Sequence, residues 1–156
     1  MNQRIYNYSI HLLARQDYSE FKLKQKLRSK KDNLPHEIDE VIETLKSRGL
    51  LREENYRRLF IRKWVMKGES EDKIRQRAAM EKIEFTSEEF QATELELGIS
   101  EQDNIEKLIS KKLRSKTIPD DREERFQLKN KVLRFLISKG HSFDECKKAL
   151  SSYFGK

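Results

Sequence analysis

Cysteine, glycine and proline are scarce in this chain of 156 residues, which holds one Cys, five Gly and two Pro. A single cysteine, Cys146, excludes an internal disulfide and fits a reducing compartment. With only His11, His36 and His141 besides it, widely separated, a zinc site has no adequate ligand set, so no metal is expected. Five glycines, each at the end of a helical stretch, leave none over for a phosphate-binding loop. No apolar run approaches the roughly 18 residues of a membrane span. Met1–Ser9 lacks the charged-then-apolar order of an export signal, so the expected location is the cytoplasm. Motifs of the Walker, GxSxG and HExxH kinds are absent, and the paired acids Asp120/Asp121 and Glu123/Glu124 sit where acids favour a helix start. The expectation is a protein with no enzymatic activity and no cofactor.

What is abundant is charge. Charged residues make up 39% of the chain and hydrophobic ones 35%, with 34 Lys and Arg against 27 Asp and Glu, a net charge of +7. Eight Phe, five Tyr and one Trp argue against disorder, which is poor in aromatics. The composition suits many helices with thin apolar stripes, and a basic balance favours a polyanionic partner. By segment, residues 1–52 and 100–156 are net basic, while 53–99 are slightly acidic.

The fold class is all-α. Ile38, Val41, Ile42 and Leu45 repeat at helical spacing, as do Phe143, Cys146, Leu150 and Tyr153, and no stretch alternates as a strand would. Gly49, Gly68, Gly98, Gly140 and Gly155 mark helix ends. Thr86 with Glu89 and Ser142 with Glu145 have capping-box spacing, and Pro35 and Pro119 stand where a first turn begins. Together these signals predict helices over 4–16, 19–31, 35–48, 53–67, 70–83, 86–97, 100–116, 120–139 and 142–154. The 86–97 helix has only Phe90 and Leu97 as well-spaced anchors.

An internal echo runs through the chain. Ser19 is followed by Leu23 and Leu27, Ser70 by Ile74 and Ala78, and Ser142 by Cys146 and Leu150. Each is a serine cap with apolar residues four and eight positions on, which suggests tandem helical modules that share their burial.

Three basic clusters contain no acid. The first is Lys22, Lys24, Lys26, Arg28, Lys30 and Lys31; on a helix, Lys22, Lys26 and Lys30 form one row and Lys24, Arg28 and Lys31 another. The second is Arg57, Arg58, Arg62, Lys63 and Lys67, interleaved with Tyr56, Phe60 and Trp64. The third is Lys107, Lys111, Lys112, Arg114 and Lys116. Any one can be a solvated face whose long stems cover apolar surface. As a set in a basic protein, they are the expected contacts to phosphates or acidic side chains.

The stretch Leu12-Leu-Ala-Arg-Gln-Asp-Tyr-Ser19 followed by Leu23 and Leu27 resembles the opening of the bacterial regulatory protein RecX family. So does Val41-Ile-Glu-Thr-Leu45 leading to Gly49-Leu-Leu51, Tyr56 and Phe60-Ile-Arg62. The run Lys131-Val-Leu-Arg-Phe-Leu-Ile-Ser-Lys-Gly140 resembles that family's last-module signature. The resemblance covers about residues 4–154 in order. It implies an elongated array of three tandem three-helix modules, here 1–52, 53–99 and 100–156. It also implies a monomeric modulator of the RecA recombinase, which binds the RecA filament on DNA and inhibits its ATPase, strand exchange and stimulation of SOS repressor cleavage. Direct contact with single- or double-stranded DNA through the basic faces is a further expectation. The chain departs from the family pattern at Gly49-Leu-Leu-Arg-Glu53, Gly68-Glu-Ser70 and Ser138-Lys-Gly-His141, which alters surface positions more than apolar ones. The competing reading is an autonomous helix-turn-helix DNA-binding transcription regulator, although no helix shows a compact recognition face of Arg, Asn, Gln and Ser.

Overall fold

The serine echo of the sequence is realised as helix caps above buried stripes. In the computed structural model, which describes residues 1–155, the Ser19, Ser70 and Ser142 hydroxyls accept from the backbone N–H groups of Lys22, Lys73 and Glu145. The residues four and eight positions on, Leu23 and Leu27, Ile74 and Ala78, Cys146 and Leu150, are all buried. A serine cap satisfies one of the orphan N–H groups of the first turn, and the i+4, i+8 spacing carries the apolar stripe along one helix face.

Nine helices are present among the described residues: α1 (Gln3–Arg15), α2 (Glu20–Arg28), α3 (Pro35–Ser47), α4 (Glu53–Met66), α5 (Glu71–Met80), α6 (Ser87–Leu97), α7 (Glu101–Leu113), α8 (Arg122–Ser138) and α9 (Phe143–Phe154). All five glycines have positive φ at or beyond helix ends. Four boundaries differ by more than one residue from the sequence expectation. Helix α2 stops at Arg28, not residue 31, because the Asn33 side chain donates to the Leu27 carbonyl at 2.9 Å and turns the chain. Lys30 and Lys31 therefore lie outside the helix, and the two expected rows are cut short. Helix α5 stops at Met80, not 83: Lys82 takes a left-handed φ of 54°, and Ile83 N–H closes on the Ala78 carbonyl at 2.8 Å. Helix α7 ends at Leu113, and Lys116 N–H closes a turn on its carbonyl. Helix α8 starts at Arg122, capped by Asp121, so Pro119 precedes the helix instead of opening it. Pro35 does open α3.

The chain divides into two compact units. The first comprises Met1–Phe60 and Ala78–Glu84. In it α1, α2 and α3 pack on one another. Their shared core is Ile5, Leu12, Leu23, Leu27, Ile38, Val41, Ile42, Leu45 and Leu51. The second comprises Ile61–Arg77 and Phe85–Lys156, of which Lys156 lies outside the described residues. Here α7, α8 and α9 form a mutually packed trio around Ile105, Leu108, Ile109, Val132, Leu136, Cys146, Leu150 and Phe154.

Polar ties bind the segment 61–77 to this trio within the second unit. The buried Asn104 side chain donates to the Val65 carbonyl at 3.1 Å. Ser70 N–H donates to the Lys139 carbonyl at 3.0 Å. The buried His141 ring donates from Nε2 to the Gly68 carbonyl at 2.6 Å, while Nδ1 lies 3.2 Å from the Glu101 carboxylate. Gly68 and Gly140 permit this close approach. A Cβ on Gly68 would lie 2.9 Å from the Leu108 side chain, and one on Gly140 would lie 2.6 Å from Lys73 Cβ.

Candidate partner-binding surfaces

The first basic cluster is partly engaged with acids that its own sequence stretch lacks. Lys24 Nζ lies 3.0 Å from Glu20 and 3.5 Å from Asp39. Lys46 reaches the other oxygen of Glu20 at 3.1 Å. Burial opposes ionisation of Glu20, but hydrogen bonds from Lys24 and Lys46 and their charges outweigh it and hold this carboxyl below its ordinary value. The Glu20 hydrogen bond in turn raises the Lys24 value. Lys22 sits 3.8 Å from Glu81, which also accepts from the Tyr56 hydroxyl at 2.7 Å. Burial first, and then Glu81, pushes the Tyr56 phenol far above its usual range, so Tyr56 is a fixed donor. Lys30 lies over the Tyr8 ring, 5.4 Å from its centroid. Lys26, Arg28 and Lys31 are exposed.

The second cluster divides by partner. Arg58 donates to the Asn55 side chain at 3.2 Å, and Arg62 pairs with Glu96 at 3.2 Å. Arg57 is half-buried and engaged. Lys63 and Lys67 lie 4.9 and 4.7 Å from the half-buried Trp64 ring centroid. Sequence reasoning missed the third cation there. Arg77 stacks on Trp64 at 3.7 Å and makes a two-pronged bond to Glu69, both contacts at 2.6 Å, with Glu69 only 1% exposed. The Arg fork matches a carboxylate in this geometry, so the buried charge is compensated.

The third cluster separates along α7. Lys107 donates to the Met66 carbonyl at 3.1 Å, which caps the end of α4. Lys111 and Arg114 are exposed. Lys112 lies over the Phe135 ring of α8, 4.2 Å from its centroid, and Lys139 lies over the same ring at 5.7 Å. The Lys131 ammonium, with Lys112 behind it, pushes the Lys116 value down from the ordinary lysine range. Lys131 and Lys139 belong to this surface but stand outside the sequence cluster. They join it only because α8 packs beside α7.

Among the described residues no group of three or more His, Cys, Asp or Glu could hold a metal, and no helix is long and apolar enough to cross a membrane. Cys146 is buried, and burial pushes its thiol up to about 11. Helical trios, echoed caps and charged outer faces define an all-helical repeat protein. Residues 100–150 match the family model described as RecX, third three-helix domain. The chain is also 27% identical over 146 residues to "Regulatory protein RecX" of Haemophilus influenzae strain PittEE, covering 93% of this chain and 91% of that protein. It is 26% identical to the protein of the same name from strain Rd, with the same coverage. The chain is thus similar to RecX regulatory proteins over most of its length, and its last third matches that family's third three-helix domain.

Proposed function

We propose that this protein regulates the RecA recombinase by binding its filament on DNA and lowering its ATPase, strand-exchange and co-protease activities. The observation that carries the reading is the ordered similarity to RecX proteins over 93% of the chain, ending in a matched third three-helix domain. On this reading the chain comprises three modules, residues 1–52, 53–99 and 100–156, and works in the cytoplasm beside its DNA-bound target. The mutually packed trios α1–α3 and α7–α9 support the first and last of these divisions. Several modest contacts made along one repetitive filament add through linkage, so no single surface needs high affinity. Basic residues that remain exposed, among them Arg28, Lys31, Lys111 and Arg114, are the proposed contacts to the filament.

The test is a titration of the protein into the cognate RecA on single-stranded DNA while ATP hydrolysis is followed. Hydrolysis falls as the protein approaches stoichiometry with the filament. Unchanged hydrolysis together with no detectable filament binding defeats the proposal.

A further inference from the structure

His141 stands where three elements meet, in the turn between α8 and α9, with its side chain closed off from solvent. Nε2 lies 2.6 Å from the Gly68 carbonyl beyond α4, and Nδ1 lies 3.2 Å from the Glu101 carboxylate in the first turn of α7. Both partners are acceptors. A neutral imidazole has a single N–H and can serve one of them, whereas an imidazolium donates from both nitrogens. The Glu101 carboxyl is held below its ordinary value first of all by the His141 hydrogen bond, the behaviour of a carboxylate that accepts from a donor. The two partners differ in freedom: Gly68 is buried, and the Glu101 side chain is 42% exposed. Glu101 is therefore the one able to turn away into water.

We infer that His141 is a proton-operated clasp: as an imidazolium it ties Gly68 to Glu101, and as a neutral ring it holds Gly68 through Nε2 and lets Glu101 go, loosening the start of α7. Which partner is lost follows from burial, since an unmet carbonyl in the interior costs more than a carboxylate returned to water. The ring closes Ser138-Lys-Gly-His141, a stretch in which the chain departs from the RecX pattern, so the clasp belongs to this chain and not to the resemblance. It does not rest on the filament reading. Other charged groups on the surrounding elements are Glu69 beside Gly68, Glu71 and Lys73 on α5, Glu94 on α6, Lys139 before the ring and Glu145 on α9. Glu69 is bound to Arg77. By type, carboxylic acids titrate below imidazole and ammonium groups above it. The Cys146 thiol on α9, raised to about 11, is also above. Glu94 is the acid to control for, because burial first, and then the charges of Glu101 and Glu71, raise its value toward the imidazole range.

The test uses the full-length H11Q/H36Q variant, in which both exposed histidines are replaced and His141 is the sole imidazole. Long-range proton–nitrogen NMR spectra follow its two ring nitrogens from about pH 5 to about pH 9, a range that spans imidazole titration. The backbone amides of residues 101–104 are followed in the same samples. At the acid end both nitrogens carry the imidazolium signature. As pH rises Nδ1 loses its proton, Nε2 keeps its own, and the 101–104 amides shift with the same midpoint. Adding E101Q lowers the ring's midpoint and removes the amide shift, because the two groups share one coupling and it acts equally on both. Adding E94Q leaves ring titration and amide shift in place. A ring that is neutral at the acid end, or charged throughout, overturns the inference. So does ring titration with no amide shift at 101–104, or a midpoint that E101Q does not move. An amide shift abolished by E94Q overturns it in favour of Glu94 as the operating acid.

Discussion

Gly140 and Gly98 both have positive φ, 91° and 66°, yet they differ in surroundings. Space around Gly98 is open, whereas a side chain on Gly140 would run into Lys73. Gly98→Ala therefore costs only the left-handed backbone penalty, about 1 kcal/mol, and Gly140→Ala costs at least about 2 kcal/mol more. Urea unfolding followed by circular dichroism measures both, and equal losses would refute the close packing of the 138–141 turn on α5. Glu101 gives a pH signature at the same scale. The His141 hydrogen bond lowers its value below the ordinary 4.5, against the opposing effect of burial. A lowered carboxyl contributes stability that is fully present above its unfolded value and disappears as pH falls through the folded one. Glu101→Gln therefore lowers the melting temperature at pH 7, and the gap to the unaltered protein closes as pH falls through the lowered folded value. A gap that persists in acid would show that the ionised carboxylate is not what His141 needs.

Helix α2 shows how an element mixes structural and free cations. Lys24 is held between Glu20 and Asp39, while Arg28 on the next turn is exposed. Lys24→Glu places three carboxylates together and destabilises by about 1 kcal/mol, whereas Arg28→Glu stays within about 0.5 kcal/mol. Loss of filament modulation in Arg28→Glu with helicity retained would then report on contact, a conclusion the Lys24 variant could not support. The caps give a second element-scale expectation. Ser142→Ala removes the acceptor for Glu145 N–H and costs about 1 kcal/mol, measurable in the same urea transition. Much of this level was legible in the sequence, because a serine cap and its i+4 and i+8 apolar partners are local chemistry. The early ends of α2 and α5 were not. They depend on Asn33 reaching back to Leu27 and on Lys82 adopting a conformation that its residue type disfavours.

At the scale of the whole molecule, the chain passes from the first unit to the second within α4, at Phe60–Ile61, and returns within α5, at Arg77–Ala78. Basic clusters found by reading along the chain are regrouped by this path and by helix packing. Lys22 and Lys24 meet Glu81, Glu20 and Asp39, and Arg62 meets Glu96, so these cations are drawn into the fold. The charge of Lys131 on α8 instead lowers the Lys116 value, an influence across fifteen residues that no run of consecutive residues reveals. The all-helical class followed from periodicity and caps, whereas the Arg77–Glu69–Trp64 stack and the His141 tie required partners remote in sequence. The sole tryptophan, Trp64, lies in the second unit, so its emission follows that unit's unfolding.

Cys146 lends that same unit a chemical clock. The only thiol in the chain is fully buried, and its raised value of about 11 leaves almost no thiolate at neutral pH. An alkylating reagent can therefore reach it only when α9 lifts from α7 and α8. Followed by mass, the rate of alkylation would count those excursions directly and show whether a bound partner slows them, with no label added to the protein.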